Sequence, residues 1–278
     1  MGEVFVSIND IDVKDVKWID ARYSLQDPSY GREQYHQSHV KGAVHWDLSA
    51  DLSDLTNGGG RHPLPSKKSL TALFERSGLS LDDKIIVYDD GGSPFATRAW
   101  WILQYAGFKH AVVSLEGIDA LKAAGIPIDS NLTEVEKTSV TPNWQDHLLV
   151  LRPEVEEIVA GNRCSTLVDA RANARYRGEQ EPLDRIAGHI PTALNFDWEQ
   201  LKQDGKYALS DEIKAKLEGL AENHQELTVY CGSGVTATPI YAMLTHLGYD
   251  NIRLYAGSYS DWVSKEDAVV ETGENEEK

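Results

Sequence analysis

The chain has 278 residues, 41% of them hydrophobic, with 27 Lys and Arg against 44 Asp and Glu for a net charge of −17. That length suits two domains, each able to bury its own core. The charge argues against nucleic acid or anionic lipid as partners, so any anion site must be built locally, against the field of the whole molecule.

The predicted elements alternate between strand and helix. Short apolar runs ending in a polar turn read as buried parallel strands at Trp18–Ile19, Ile85–Tyr88 and Val112–Leu115. Between them Leu70, Leu73 and Phe74 share a helical face, with Ser66 as N-cap and Gly78 as stop. The stretch Asp129–Asp146 is polar, contains Pro142 and has no period, so it is read as a linker. Pro153 at a first helical position opens a second half, whose first helix carries Val155, Ile158 and Val159 and closes at Gly161. Strands follow at Leu167–Val168, Leu227–Tyr230 and Ile252–Tyr255, with a helix bearing Ile213, Leu217 and Leu220 that Ser210 can cap. The tail from Glu266 to Lys278 has few apolar residues and is expected to be loose. No run is long enough to cross a membrane, and the N-terminus lacks a basic region followed by an apolar stretch. The expected location is the cytoplasm.

The two halves repeat each other. Val16–Arg22 recurs as Ser165–Arg171, both ending Asp-Ala-Arg, and His39–Asp47 recurs as His189–Asp197. Ile85–Asp89 recurs as Leu227–Cys231, with offsets drifting only between 142 and 150. One α/β domain has been duplicated, each copy a parallel sheet with helices on both faces. The expected division is 1–128, a linker at 129–147, and 148–278.

The chemistry gathers at Cys231-Gly232-Ser233-Gly234-Val235-Thr236-Ala237. A strand runs into Cys231, a small turn follows, and a helix is expected from near Thr236 to Gly248. Glycines let successive N–H groups aim at one point, and the helix N-terminus adds its unpaired donors. Such a turn can stabilise a thiolate and then an anionic persulfide; the plain alternative is an inert cysteine at a strand end. Phosphate-ester hydrolysis through a Cys-x5-Arg cradle is excluded, because Ala237 stands where the guanidinium is needed. Cys164 is the only other cysteine, and neither has metal-ligand spacing around it; nor does the reading as a whole imply a metal or an organic cofactor. Cys164, just ahead of a strand, is read as structural.

The Cys231–Ala237 loop resembles the active-site loop of tandem-rhodanese sulfurtransferases, specifically the 3-mercaptopyruvate type. Gly188-His189-Ile190-Pro191, Gly257–Trp262, Gly60–Pro65, Tyr88–Gly92 and the paired Asp-Ala-Arg motifs match other signatures of that family. The resemblance runs from about Val16 to Trp262. It implies a Cys231 persulfide that carries sulfur from 3-mercaptopyruvate, or from thiosulfate, to a thiol, thioredoxin or cyanide. It further implies a noncatalytic first domain, since Asp89 fills the place of Cys231. Ser233 is expected to assist at the reacting centre, and Gly232, Gly234, Val235 and Thr236 to line the cradle. Arg175 matches the first of two substrate arginines of the family, and Arg185 lies close to the place of the second. His62 matches a histidine that the first domain presents to the site, while Ser49 stands where relatives often carry an acid. Asp20, Arg22, Asp169 and Arg171 are expected to pin sheet ends. Tyr259 and Trp262 either line the pocket or pack. A noncatalytic sulfur-binding module on the same fold is the rival from another class, and the intact loop argues against it.

Overall fold

A computed structural model describes residues 3–10, 14–222 and 224–274. In the first half the strands are β1 (Phe5–Val6), β2 (Val16–Asp20), β3 (Val44–His45), β4 (Lys84–Tyr88) and β5 (Ala111–Ser114). In the second they are β6 (Leu149–Val150), β7 (Thr166–Asp169), β8 (Leu194–Asn195), β9 (Leu227–Tyr230) and β10 (Ile252–Tyr255). Each half forms one five-stranded sheet, in the order β1-β5-β4-β2-β3 and β6-β10-β9-β7-β8. Strand for strand the two orders are the same, and every pairing within them is parallel. The central strands β4 and β9 are buried over four successive residues, which is why they read as continuous apolar runs rather than alternating ones.

The helices are α1 (Tyr30–Gln37), α2 (Lys67–Arg76), α3 (Phe95–Ala106), α4 (Ile118–Ala123), α5 (Arg152–Val159), α6 (Asn173–Tyr176), α7 (Asp211–Glu222), α8 (Thr238–His246) and α9 (Ser258–Trp262). Ser66 caps α2 by accepting from Ser69 N at 3.1 Å, as its sequence position implies. Pro153 is the second residue of α5, one place later than expected. Two antiparallel pairs lie outside the main sheets: His39–Val40 with Ile128–Asp129, and Lys202–Gln203 with Lys206–Tyr207.

Helices α3 and α8 join the halves. Thr97 Oγ1 and Thr238 Oγ1 share a buried hydrogen bond of 2.9 Å, and Tyr241 of α8 packs on Trp100 and Trp101 of α3. One continuous apolar cluster therefore holds residues of both sheets. The segment from Ser130 to Gln145 contains no helix or strand and lies along the first half, where Thr138 N donates to Glu75 O and Asn143 N to Ala106 O.

The tail departs from expectation. Val269 O accepts from Trp262 Nε1 at 2.8 Å, Glu271 exchanges two backbone hydrogen bonds with His189, and Gly273 N donates to Arg177 O. Backbone pairing, which composition does not report, docks this segment as far as the described residues reach; 275–278 lie outside them.

Candidate active site

The strand ends that carry the site are fixed by the same polar cluster in both halves. Arg22 Nη2 lies 2.6 Å from Asp20 and donates to Ser38 O at 2.7 Å; Arg171 Nη2 lies 2.6 Å from Asp169 and donates to Gly188 O at 2.6 Å. Tyr88 and Tyr230 each accept, through the hydroxyl, the N–H of the residue after the conserved-in-repeat histidine, Val40 and Ile190. His39 and His189 stack on Tyr35 and Tyr176 with ring centroids 3.9 and 3.8 Å apart. All four members of the two Asp–Arg pairs are buried. The Asp–Arg pairs and the Tyr hydroxyls brought inside thus meet partners, as low dielectric demands, while Nε2 of His39 and of His189 is left without a hydrogen bond.

β9 delivers Cys231 to the carboxyl edge of its sheet, beside the point where the chain changes direction across the sheet, the usual place for a parallel α/β site. The side chain is buried. Gly234 N points at Sγ at 3.1 Å. This requires Gly234 at φ +76°, with Ala256 O only 2.2 Å from where a Cβ would stand. The loop carbonyls face away: Cys231 O accepts from Tyr259 N at 2.9 Å and Gly232 O from Ser260 N at 3.0 Å, so α9 turns the loop amides inward. Ser258, at φ +57°, completes the floor by accepting from Cys231 N at 3.1 Å. Helix α8 begins at Thr238 rather than Thr236, because a turn closed by Thr238 N on Val235 O precedes it. Val235 packs in the core and Thr236 is half-buried.

Asp89 occupies the equivalent cradle in the first half. Its carboxylate accepts from Gly91 N at 2.8 Å and Ala96 N at 3.0 Å, and burial pushes it up to about 7 against those bonds. Both turns therefore aim backbone N–H groups at the side chain that follows the strand, but only the second presents sulfur to them.

The first half also walls the Cys231 loop. His62 Nδ1 shares a 2.8 Å hydrogen bond with Ser233 Oγ. Burial, then Arg98 and Arg61, push His62 down to about 4, so the ring is neutral at neutral pH. Arg98, fully buried on α3, donates to Gly234 O at 3.0 Å, Leu52 O at 3.2 Å and His62 O at 3.3 Å. Burial lowers it to about 10, with Cys231 pulling the other way, and it remains a cation. Ser49 is engaged by Tyr23 OH at 2.6 Å.

Arg175 reaches the loop: a Cβ on Gly232 would lie 3.4 Å from its Nη1. Arg185 is turned elsewhere, its Nη2 donating to Val263 O at 3.0 Å and Lys265 O at 2.8 Å beyond α9. The second guanidinium beside Gly232 belongs to Arg61, whose Nη2 would meet that Cβ at 2.5 Å. Arg61 pairs with Asp184, which Arg175 also holds at 3.2 Å. Arg61 and Arg98 were not selected from sequence; both come from the other half, and only the Gly60–Pro65 motif hinted at the former. Tyr259 lies under Arg171, 3.9 Å from ring to guanidinium, whereas Trp262 packs with Arg152 and Val269. Cys164 is exposed, donating to Gln225 Oε1 at 3.4 Å.

A buried thiol in a backbone anion cradle, facing cations from a duplicated partner domain, defines a class of enzyme built for anionic sulfur rather than phosphate. The family model described as a rhodanese-like domain matches residues 8–124 and 152–265. The chain is 38% identical to the probable 3-mercaptopyruvate sulfurtransferase of Pseudomonas aeruginosa, over 94% of this chain and 93% of that one. It is 38% identical to a putative thiosulfate sulfurtransferase of Mycobacterium tuberculosis, over 90% and 88%, and 30% identical to the 3-mercaptopyruvate sulfurtransferase of Escherichia coli, over 94% of both. Among solved structures, the 3-mercaptopyruvate sulfurtransferase of Leishmania major superposes with TM-score 0.82 at 28% identity, covering 93% of this chain and 74% of that one. The chain belongs to the rhodanese-like family, as a tandem-domain sulfurtransferase. It acts between a small-molecule sulfur donor and an acceptor. No helix among the described residues is long and apolar enough to cross a membrane.

Proposed function

We propose that Cys231 carries the transferred sulfur and that 3-mercaptopyruvate is the preferred donor. The Cys231 thiolate attacks the donor sulfur, the carbon–sulfur bond breaks, and its electron pair leaves on carbon as the enolate of pyruvate. Protonation of that carbon gives pyruvate and leaves Cys231 as a persulfide. An acceptor nucleophile, a thiol, thioredoxin or cyanide, then takes the outer sulfur and restores the thiolate. Gly234 N supports the sulfur, Gly232 keeps the approach open, and Ser233, oriented by neutral His62, donates toward the leaving oxyanion. The observation that carries the reading is the pair of guanidiniums, Arg175 and Arg61, against Gly232. They suit a carboxylate one skeleton away from the sulfur, while the positions directly after Cys231 offer no charge to a compact dianion such as thiosulfate.

We assign residues 1–128 to a noncatalytic domain, 129–147 to the linker and 148–278 to the catalytic domain, working in the cytoplasm. Steady-state kinetics with both donors and cyanide as acceptor test the donor assignment. The expected kcat/KM is higher for 3-mercaptopyruvate; equal or better use of thiosulfate moves the chain to the thiosulfate class.

A further inference from the structure

An unbroken line of alternating charge runs beside the Cys231 loop. Asp169 pairs with Arg171, Arg171 with Glu181 at 3.1 Å, Glu181 with Arg175 at 2.7 Å, Arg175 with Asp184 at 3.2 Å, and Asp184 with Arg61. The last pair crosses from one domain to the other. The two carboxylates that hold Arg175 differ in how they are fixed. Glu181 also accepts from Arg171, Leu183 N and Asp184 N, the last two at 3.0 Å each. Asp184 uses one oxygen for Arg61 and the other for Arg175. It is held, in other words, as a bound carboxylate would be.

We propose that Arg61 and Arg175 form a two-domain carboxylate site, and that Asp184 is its resident placeholder, displaced when the donor's carboxylate binds. The proposal rests on the reading of 3-mercaptopyruvate as donor and names the residue that supplies its second cation. Three observations support it. The guanidiniums of Arg61 and Arg175 both border the space a Cβ on Gly232 would fill, at 2.5 and 3.4 Å, next to the nucleophile, so a carboxylate there lies within a short carbon chain of sulfur. The Asp184 side chain is 4% exposed, and burial outweighs Arg61 to push its carboxyl above the ordinary range, whereas Glu181, the other carboxylate on Arg175, is held below its own. It also rides on a stretch, 177–188, without helix or strand, where Leu183 is 62% exposed. A network of three acids and three arginines thus stands ready to exchange one carboxylate for another without leaving a guanidinium unpaired.

The test compares two alkylating agents of the same skeleton, 3-bromopyruvate and bromoacetone, on the full chain carrying Cys164→Ser. In both, the thiolate displaces bromide from the carbon beside a ketone, and only the former bears a carboxylate. The ratio of their second-order rates at Cys231 cancels differences in thiol access or folding. We expect Asp184→Asn to raise the bromopyruvate-to-bromoacetone ratio about tenfold and Arg61→Ala to lower it about tenfold, with Arg61→Lys between. KM for 3-mercaptopyruvate should move in the opposite sense. A ratio unmoved by either substitution, or lowered by Asp184→Asn, overturns the proposal. If the ratio shifts as expected while thiosulfate is the better donor, the carboxylate site stands and only the donor assignment falls.

Discussion

Burial beside Arg98 and Arg61 takes His62 from its ordinary 6.5 down to about 4, and the consequence is a pH dependence with a definite sign. Between those values the unfolded chain binds a proton that the folded chain does not, so stability is fully present above 6.5 and is lost as pH falls toward 4. The full shift corresponds to roughly 3.5 kcal/mol at about 1.4 kcal/mol per pH unit, and partial hydration of the ring reduces this to about 1–2 kcal/mol. His62→Gln, which retains a polar contact to Ser233, should flatten the stability profile from pH 4 to 6.5 in urea titrations. An unchanged slope would mean that His62 titrates like a surface histidine. At Cys231 the expectation is categorical. Incubation with donor should add one sulfur to the intact protein, and Cys231→Ser should abolish both adduct and turnover while Cys164→Ser keeps them; the reverse pattern in mass spectra would show that the wrong thiol has been chosen. The cradle at Cys231 was legible as a turn because a Gly-rich stretch after an apolar run is a local signal. Arg185 misled for the converse reason: nearness along the chain to Arg175 says nothing about where a guanidinium points, and its hydrogen bonds to Val263 O and Lys265 O hold it away.

At the level of elements, the two strand-to-turn units β4–Asp89 and β9–Cys231 are the same backbone device closed on different side chains. Asp89→Ala would orphan the N–H groups of Gly91 and Ala96, costing about 2–4 kcal/mol of stability. Sulfur loading per folded molecule should remain, and its loss under conditions where thermal unfolding confirms a folded protein would give the first domain a chemical role. The Cys231 turn is far less tolerant. Gly234→Ala meets a strained φ, worth about 1–2 kcal/mol, and a backbone oxygen 2.2 Å from the new Cβ, so the N–H that points at Sγ must move. Displacement of that order should slow sulfur loading about a hundredfold. Gly248→Ala supplies the control, because its φ of +95° is strained as well but nothing lies within 4 Å. The repeat made these elements readable: six strand cores were visible as apolar runs in matching order. The start of α8 was not, since Val235-Thr236-Ala237 is as compatible with a turn as with a first helical turn. The docked tail was missed because a backbone bridge to His189 leaves no mark on side-chain composition.

Across the whole molecule, the residues that sequence reading overlooked share one property: Arg61 and Arg98 lie against a loop 136 or more residues away, Arg98 through the hydrogen bond from its Nη1 to Gly234 O. Local spacing cannot reveal such contacts, which exist only once the domains dock. The docking surface is itself core. Phe5, Trp100 and Trp101 of the first half belong to the same apolar cluster as Val229, Cys231 and Tyr241 of the second, and the Thr97–Thr238 hydrogen bond lies inside it. Gly92 packs so closely on Gly205 of the Lys202–Tyr207 hairpin that a Cβ would stand 2.2 Å from the Gly205 oxygen, and Tyr207 OH donates to Ser93 O at 2.9 Å. Each domain thus covers the other's anion turn. A weak, wet interface would let two domains melt separately, whereas a shared apolar cluster couples them. The whole chain is therefore expected to unfold in a single calorimetric transition whose van't Hoff and calorimetric enthalpies agree. Separately expressed 1–128 and 148–278 should expose Trp100, Trp101 and Tyr241, associate or aggregate, and fail to load sulfur. Two resolved transitions, or a second domain that turns over donor alone at the full rate, would show that the first half is a passive neighbour rather than a wall of the site.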